Sequence, residues 1–454
     1  MTEMSLTARL AAHIATSDPL QSTDAVALAR NAIVDFLACA VAGASDPGTR
    51  TVMNAFWAAV PTEGGSVLIG QGRRADVFTA ALVNGYAGHA LDYDDVHPSV
   101  RGHPTTVILP ALLALAADRP ASALDLIGAY IVGVETMSRL GLALGSRHYE
   151  NGFHATATLG TIGAAAAVAH LLKLEPRTIA VALGLAATQS AGLRLQFGFD
   201  AKPLHAGLAA RAGLTAIKLA VAGLGGAPEF LEGPIGFLAA YGAGAAQPEK
   251  AVGGWGEPWQ IVAPGLVLKA FPCCTAAHCA AEAILALREE HSLDPASITG
   301  ITATFPPGGD AALVVREPVT GIDGRFSVEY VIATGIIDGE LGIAAFSDRP
   351  VRAEVAALAH RVERRHDQAA SRMSNDPATR FTDVEIRFAD GSGVSRRVSV
   401  LRGTRDLLAK FCDATGGDPA LAGIPQHVQH MRSRDDLLAL LGMLAPRVAA
   451  HPTR

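Results

Sequence analysis

Long runs of alanine, glycine, leucine and valine, with few large rings among them, constrain this chain more than any other feature. Half of its 454 residues are hydrophobic, yet only 5% are aromatic and 18% charged. A core built from side chains this small favours helices that approach one another closely. The stretches Thr156 to Leu172, Pro176 to Ala191, His205 to Ala222 and Thr275 to Glu289 are apolar almost all round, the pattern of helices buried against helices. Asp24 to Ala44 sets Val26, Ala29, Ile33, Leu37, Ala40 and Val41 on one face behind a Thr23/Asp24 cap. Ser122 to Leu144 repeats the pattern through Leu124, Ile127, Ile131, Val134 and Met137.

The pattern changes after about Pro264. Gly300 to Phe305 and Thr382 to Phe388 alternate as strands do, and Asp390-Gly391 makes a hairpin turn into Val394, Val398 and Val400. Helical spacing is expected around Val328 to Asp338 and Val351 to Arg364, and again at Arg405 to Cys412 and Asp435 to Leu444. The charged stretch from Val351 to Asp376 is expected to face solvent. The fold class expected is mainly α: a large all-helical domain made by both chain ends, 1–265 and 403–454, plus a smaller inserted α+β lid domain at 266–402. A net charge of −6 argues against non-specific nucleic-acid binding, which needs a basic surface. Met1 to Pro19, with Glu3 and Arg9, reads as an amphipathic helix and not as a signal peptide. No apolar run is expected to reach the ~18 residues of a membrane span. Five irregularly spaced cysteines fit reduced thiols and a cytoplasmic setting.

Polar chemistry concentrates between His89 and His103. Asp92, Asp94, Asp95, His89, His97, His103 and Arg101 fall together in a chain otherwise poor in charge. Burying such groups unpaired is costly, so they must pair, bind a ligand or face solvent. Three readings stand: a metal site using His89, Asp92, His97 and His103 as in a metal-dependent hydrolase, a metal-free acid–base loop, or a solvated turn. Lys202-Pro203-Leu204-His205 fits a helix start, where Lys202 and His205 with the positive helix end suit a carboxylate, unless the lysine merely snorkels. Lys269 to Cys274 lies at the proposed domain junction. Cys274 and His278 suggest a nucleophile pair, or else small buried hydrophobes. His148, Tyr149 and His154 precede a buried helix and could serve as acids, bases or core groups. Arg325, Ser327 and Tyr330 precede another helix. No Walker loop, nucleophile elbow or H-E-x-x-H motif is present.

These motifs, from His89 to Asp95, Gly102 to Pro104, Gly152 to Gly160, Lys202 to His205, Lys269 to Cys274 and Arg325 to Gly339, together resemble the MmgE/PrpD family in order and spacing. The resemblance implies a helical domain with an α+β lid, a homodimer, no cofactor or metal, and a small di- or tricarboxylate substrate. It implies proton transfer at a carbon beside a carboxylate, as in 2-methylcitrate dehydratases, cis-aconitate decarboxylases and iminodisuccinate epimerases. His103, Lys202, Tyr149, His154 and Asp92 are then the expected catalytic residues. Lys269, Arg101, His89, His205, Tyr330 and His278 are expected to bind substrate. The chain departs from the decarboxylase and dehydratase pattern at Val96 and His97, where threonine and tryptophan are usual, and from the decarboxylase pattern at Cys274, where a histidine is usual. Those departures count against cis-aconitate decarboxylation and against a strict 2-methylcitrate dehydratase. A non-catalytic carboxylate-binding protein is the alternative from another class.

Overall fold

The computed structural model describes residues 4–56, 64–374 and 376–447. Glu3, part of the expected first helix, lies outside them; that helix runs Leu6–Thr16. The protein is mainly α, 54% helical with only small sheets. The long apolar segments are helices Thr23–Gly43, Ala123–Leu144, Ala155–Leu171, Pro176–Ala187 and Ala201–Val221. Two more, Val77–His89 and Thr105–Ala116, flank the polar cluster.

Two separate hydrophobic cores organise these elements. The larger gathers the helices before Ile261 together with Phe411 to Leu444 near the other chain end. The smaller lies among Cys273 to Ile386, with Phe197 reaching into it from the helical part. The smaller core sits under a four-stranded sheet of order β4-β3-β5-β6, formed by β3 (Ile298–Phe305), β4 (Val362–His366), β5 (Thr382–Phe388) and β6 (Gly393–Val398). The β5–β6 hairpin turns at Asp390-Gly391, and Gly391 takes the positive φ such a turn needs. A further hairpin, β1 (Ser66–Leu68) with β2 (Arg73–Ala75), was not expected.

One segment differs from its sequence reading. Val351 to Arg364 was expected to be helical throughout, but the helix stops at Ala353–Ala359 and Val362 opens β4. β4 adds parallel to β3 at the sheet edge, pairing Ile301 with Val362 through Phe305 with His366. Tertiary pairing outweighs the weak helical preference of so charged a run. A second correction concerns hydropathy. Thr23–Gly43, Ala123–Leu144 and Ala201–Val221 are each long and apolar enough to cross a membrane, contrary to expectation. In the fold the buried charged groups of the first two lie against protein partners. Arg30 donates 2.8 Å to the Met431 carbonyl, and Arg139 donates 2.7 Å to Glu135.

Glycine sets the helix spacing that the site depends on. Val77–His89 carries His89 at its end and Ala201–Val221 carries Lys202 at its start. The two cross where Gly85 meets Gly207: a Cβ on Gly85 would lie 2.7 Å from the Gly207 Cα, and one on Gly207 would strike the Leu82 carbonyl oxygen. From the far chain end, Lys410 of the Leu407–Thr415 helix reaches inward. Its Nζ lies 2.6 Å from Asp35 and donates 2.8 Å to the Tyr93 carbonyl, inside the polar cluster.

The crossing generates a stability prediction. Gly207→Ala should destabilise the protein by about 1–3 kcal/mol, because backbone sits where the methyl must go. Gly225→Ala, with open space around it, should stay within about 0.5 kcal/mol. Urea unfolding monitored by circular dichroism distinguishes the two.

Candidate active site

The Val77–His89 helix ends in a turn that aims carboxylates inward. Ala90 closes the helix and Asp92 takes φ 51°, its N–H donating 3.1 Å to the His89 carbonyl. Left-handed backbone is costly for most residues but is tolerated by Asp. The chain then runs back through a two-bond clip, in which Val96 and Val267 exchange N–H···O bonds of 3.0 and 2.9 Å. This clip brings the segment carrying Lys269 against the loop carrying Asp92. Arg101, also left-handed at φ 53°, closes the turn before His103.

Asp92 is the centre. Lys269 Nζ donates to its Oδ1 at 2.6 Å, to its backbone carbonyl at 2.7 Å and to the Cys273 carbonyl at 3.2 Å, so all three ammonium protons are engaged. Lys202 Nζ lies 3.0 Å from the same Oδ1 and 3.0 Å from His89 Nε2, leaving one N–H without a partner among the described residues. Burial alone would raise the Asp92 carboxyl. The two ammonium groups overcome it and hold Asp92 far below the usual carboxylate range. Burial opposes charge on Lys269 too, but Asp92 and Asp94 raise it, so it stays an ammonium.

The histidines take their tautomers from this pair. His89 lies beneath the cavity, its Nδ1 2.9 and 3.0 Å from the two Asp94 oxygens. Since Lys202 donates to Nε2, Nδ1 carries the proton. Burial keeps the ring neutral, down to about 3, against the pull of Asp94. His103 Nδ1 lies 3.2 Å from Asp94 Oδ2 with poor hydrogen-bond alignment, and its Nε2 lies 3.8 Å from Asp92 Oδ1. Burial holds His103 below its ordinary value as well, outweighing Asp94. Asp95 is different again. Burial drives its carboxyl well upward, so it stands as a neutral acid bonded to the Thr105 hydroxyl, which in turn meets Tyr130 at 2.6 Å. The solvated-turn reading therefore fails: the carboxylates and imidazoles of the cluster are all buried, with Arg101 half-buried beside them.

A cavity of about 510 Å³ opens over this cluster, between the two cores. Asp92, Arg101, His103, Tyr149, His154, Lys202, Lys269 and Cys274 all line it. Tyr149 is held between two guanidinium groups, Arg101 at 4.0 Å and Arg194 at 3.7 Å from its ring centre. Burial raises the Tyr149 hydroxyl against those two cations, so it keeps its proton. His154 Nδ1 meets His205 Nδ1 at 3.0 Å.

Four expected substrate contacts fall elsewhere. His89 and His205 stand behind the wall, supporting Lys202 and His154. His278 does not replace the usual histidine spatially. Its Nε2 turns to the Cys273 carbonyl at 3.2 Å, its ring packs on Phe271, and it does not line the cavity. Burial also raises the Cys274 thiol, which leaves no thiolate–imidazole pair. Tyr330 spends its hydroxyl on the Ala345 carbonyl and packs on Phe346, within the smaller core. Lys202 itself lies inside the first helical turn and not before it. Sequence reasoning missed Arg380, which lines the cavity from just before β5. It stood just beyond the charged stretch Val351 to Asp376, where one more arginine carried no signal.

His89, Asp92, Asp94 and His103 each offer a ligand atom within 4.8 Å of the others. Two ammonium groups already bind the Asp92 carboxylate, and a divalent cation placed there would meet both. His97 does not join the set. Its Nε2 lies 2.9 Å from the Gln260 carbonyl, and its Nδ1 accepts from the Ser99 N–H at 3.2 Å.

A helical scaffold with a buried, ion-paired acid–base cluster under a cationic cavity defines a protein built to handle small organic anions. The MmgE/PrpD N-terminal domain model matches residues 7–249 and the C-terminal domain model residues 271–409, so the chain belongs to the MmgE/PrpD family. It is similar to the cis-aconitate decarboxylase of Aspergillus terreus (strain NIH 2624 / FGSC A1156), at 31% identity over 87% of this chain and 84% of that one. The Mus musculus cis-aconitate decarboxylase is 31% identical over 71% of this chain and 67% of its own. A cis-aconitate decarboxylase-like protein of Aspergillus oryzae, oryM, is 25% identical over 93% of both.

The buried imidazoles set the acid limb of stability. Burial holds His89 and His278 down to about 3, and His97, His148 and His205 down to about 4. Unfolded, each takes a proton near pH 6.5. Their contribution is therefore complete above about pH 6.5 and is lost as pH falls toward those folded values. The depressed carboxyls of Asp92 and Asp94 act only lower, below about pH 4. The melting temperature should fall between pH 7.5 and 5, and His97→Gln should flatten that decline in a calorimetric pH series.

Proposed function

We propose that this protein is a lyase acting on a small tricarboxylate, using its own side chains to move a proton at a carbon beside a carboxylate. The observation that carries the reading is the pairing of Lys202 and His103 about one oxygen. The ammonium, with one unpartnered N–H, and the His103 Nε2 lie 3.0 and 3.8 Å from Asp92 Oδ1, both at the cavity wall. The names of the relatives support the substrate class.

Removing a proton beside a carboxylate, or losing CO₂ from a neighbouring carbon, places negative charge on the substrate. A site stabilises that charge with preorganised donors in a pocket holding little water. Lys202 supplies the donor, fixed by His89 and Asp92. His103 is neutral, so its Nε2 can accept the carbon-bound proton and return it. In an elimination, His103 takes the proton and the Lys202 N–H protonates the departing hydroxyl, releasing water. In a decarboxylation, CO₂ departs, its electron pair shifts through the double bond, and the carbon that receives it takes a proton from the same pair. Tyr149, which keeps its proton, serves as a donor and not as a base. His154 supports the pocket from the side of His205.

Cys274, Val96 and His97 favour a second version of this reading. They stand at the positions where the chain departs from decarboxylases, and Val96, His97 and Cys274 line the cavity. A substrate shaped differently from cis-aconitate suits that changed wall. A cytoplasmic homodimer stays part of the proposal, supported by the family resemblance and by five free thiols.

Proton NMR in D₂O with cis-aconitate, 2-methylcitrate, citrate, isocitrate and iminodisuccinate tests the reading. Loss of CO₂ or water, with deuterium entering a C–H position, is the expected result. Inverted configuration without net loss would make the protein an epimerase. Binding without exchange would make it a carboxylate-binding protein. Lys202→Met and His103→Gln should each lower kcat on the identified substrate about 10²-fold or more. Unchanged turnover in both variants would remove the assignment.

A further inference from the structure

The charges around the cavity are unevenly matched. On the wall under the reacting end, the Lys202 and Lys269 ammonium groups are balanced by Asp92 and Asp94. Elsewhere on the lining two guanidinium groups have no such balance. Among the described residues no carboxylate lies within ion-pair distance of Arg101 or Arg380. Arg101 Nη1 is buried with no hydrogen-bond partner at all, the group being held by the face of Tyr149 at 4.0 Å. Arg380 has a single long contact, from Nη1 to the Thr275 carbonyl at 3.4 Å, which sets it beside Cys274. Asp376, the other carboxylate on the lining, is exposed and accepts from the Ala378 N–H.

A half-buried guanidinium without a counter-charge is costly, and the cost is recovered when an anion arrives. Guanidinium is suited to this, since its planar fork matches a carboxylate edge. We infer that Arg101 and Arg380 are the two arms of a carboxylate-recognition subsite that holds the non-reacting carboxylates of the substrate and makes the cavity selective for three carboxylates over two. The inference rests on the lyase reading for which end reacts, but the charge count stands without it. Arg194 has another part. It packs on the opposite face of Tyr149, is tied to the Tyr149 carbonyl at 2.9 Å, and fixes the ring on which Arg101 lies.

The subsite fixes what each arm contributes. Arg101 comes from the same loop as Asp92 and His103, so its carboxylate is positioned relative to the reacting carbon. Arg380 comes from the segment leading into β5, on the side of the smaller core. A tricarboxylate held by both therefore bridges the two cores, whereas a dicarboxylate leaves one guanidinium unpaired.

Calorimetry with two inert probes tests this without any turnover. Propane-1,2,3-tricarboxylate carries three carboxylates and has neither the double bond nor the hydroxyl on which a lyase acts. Glutarate carries two. The wild-type protein should bind the tricarboxylate at least 10-fold more tightly. Arg380→Gln should weaken the tricarboxylate about 10- to 100-fold, to the level of glutarate, while barely changing glutarate. Arg380→Lys, which keeps the charge and loses the fork, should fall between. With a turned-over substrate, Arg380→Gln should raise KM and leave kcat within a few-fold. Equal wild-type affinity for both probes, or an unchanged preference in folded Arg380→Gln, overturns the subsite. Should that variant not fold, the wild-type preference and Arg380→Lys decide it. A wild-type tricarboxylate preference with no turnover of any substrate would instead sink the lyase reading and leave the subsite standing.

Discussion

One buried carboxylate oxygen carries two ammonium groups, and much of the site is a consequence of that arrangement. Asp92 Oδ1 receives Lys269 at 2.6 Å and Lys202 at 3.0 Å. Removing it would leave two cations buried without a counter-ion, a loss of several kcal/mol in comparable cases. Lys269 has no proton left to offer a ligand and acts as a fixed charge. Lys202 keeps one proton back, and its second contact sets the tautomer of His89, which in turn engages Asp94. Asp92, Lys269, His89 and Asp94 thus sit in one buried network with defined protonation states, an ordering that such a network achieves only when nearly every member is satisfied.

The same reasoning explains why the helices are so poor in large side chains. Asp92, Lys202 and Lys269 come from three distant parts of the chain, and hydrogen-bond distances leave tenths of an ångström of freedom between them. The Gly85–Gly207 crossing lets two helix backbones touch, so the separation of His89 and Lys202 depends on main-chain geometry. Larger residues there would put a deformable layer between the two. Close helix packing is therefore part of how the ammonium is placed, as well as a way of filling volume.

Much of this was legible in the sequence because it depends on local pattern. The alanine-rich periodicity named the helices, Asp390-Gly391 named the hairpin, and the crowding of His and Asp between His89 and His103 named the site. What stayed hidden depends on distance in space. Val362 to His366 is too charged to read as a strand, and it becomes one only because β3 presents an open edge. His278 and Cys274 share a helical spacing, yet the chain turns between them and the imidazole faces the Cys273 carbonyl. Arg380 lies in a run rich in arginines, and only the fold distinguishes the one that lines the cavity. Asp95 reads like Asp92 and Asp94, and its neutrality follows from burial without the cations or imidazoles that the others have beside them.

Lys410 has a consequence for the order in which the molecule is made. Its ammonium is the counter-ion of Asp35 and holds the Tyr93 carbonyl, one residue from Asp92, across more than three hundred positions of sequence. A chain emerging from the ribosome presents Asp35, Asp92 and Lys269 long before Lys410 exists. Until then Asp35 is a carboxylate facing an apolar interior, and the turn that aims Asp92 lacks its outer support. Contacts of such long sequence separation form late because the chain entropy of closing the loop must be overcome first. Completion of the buried cluster is thereby tied to synthesis of the chain as far as Lys410, so that shorter nascent fragments carry the acidic and basic groups without the arrangement that pairs them.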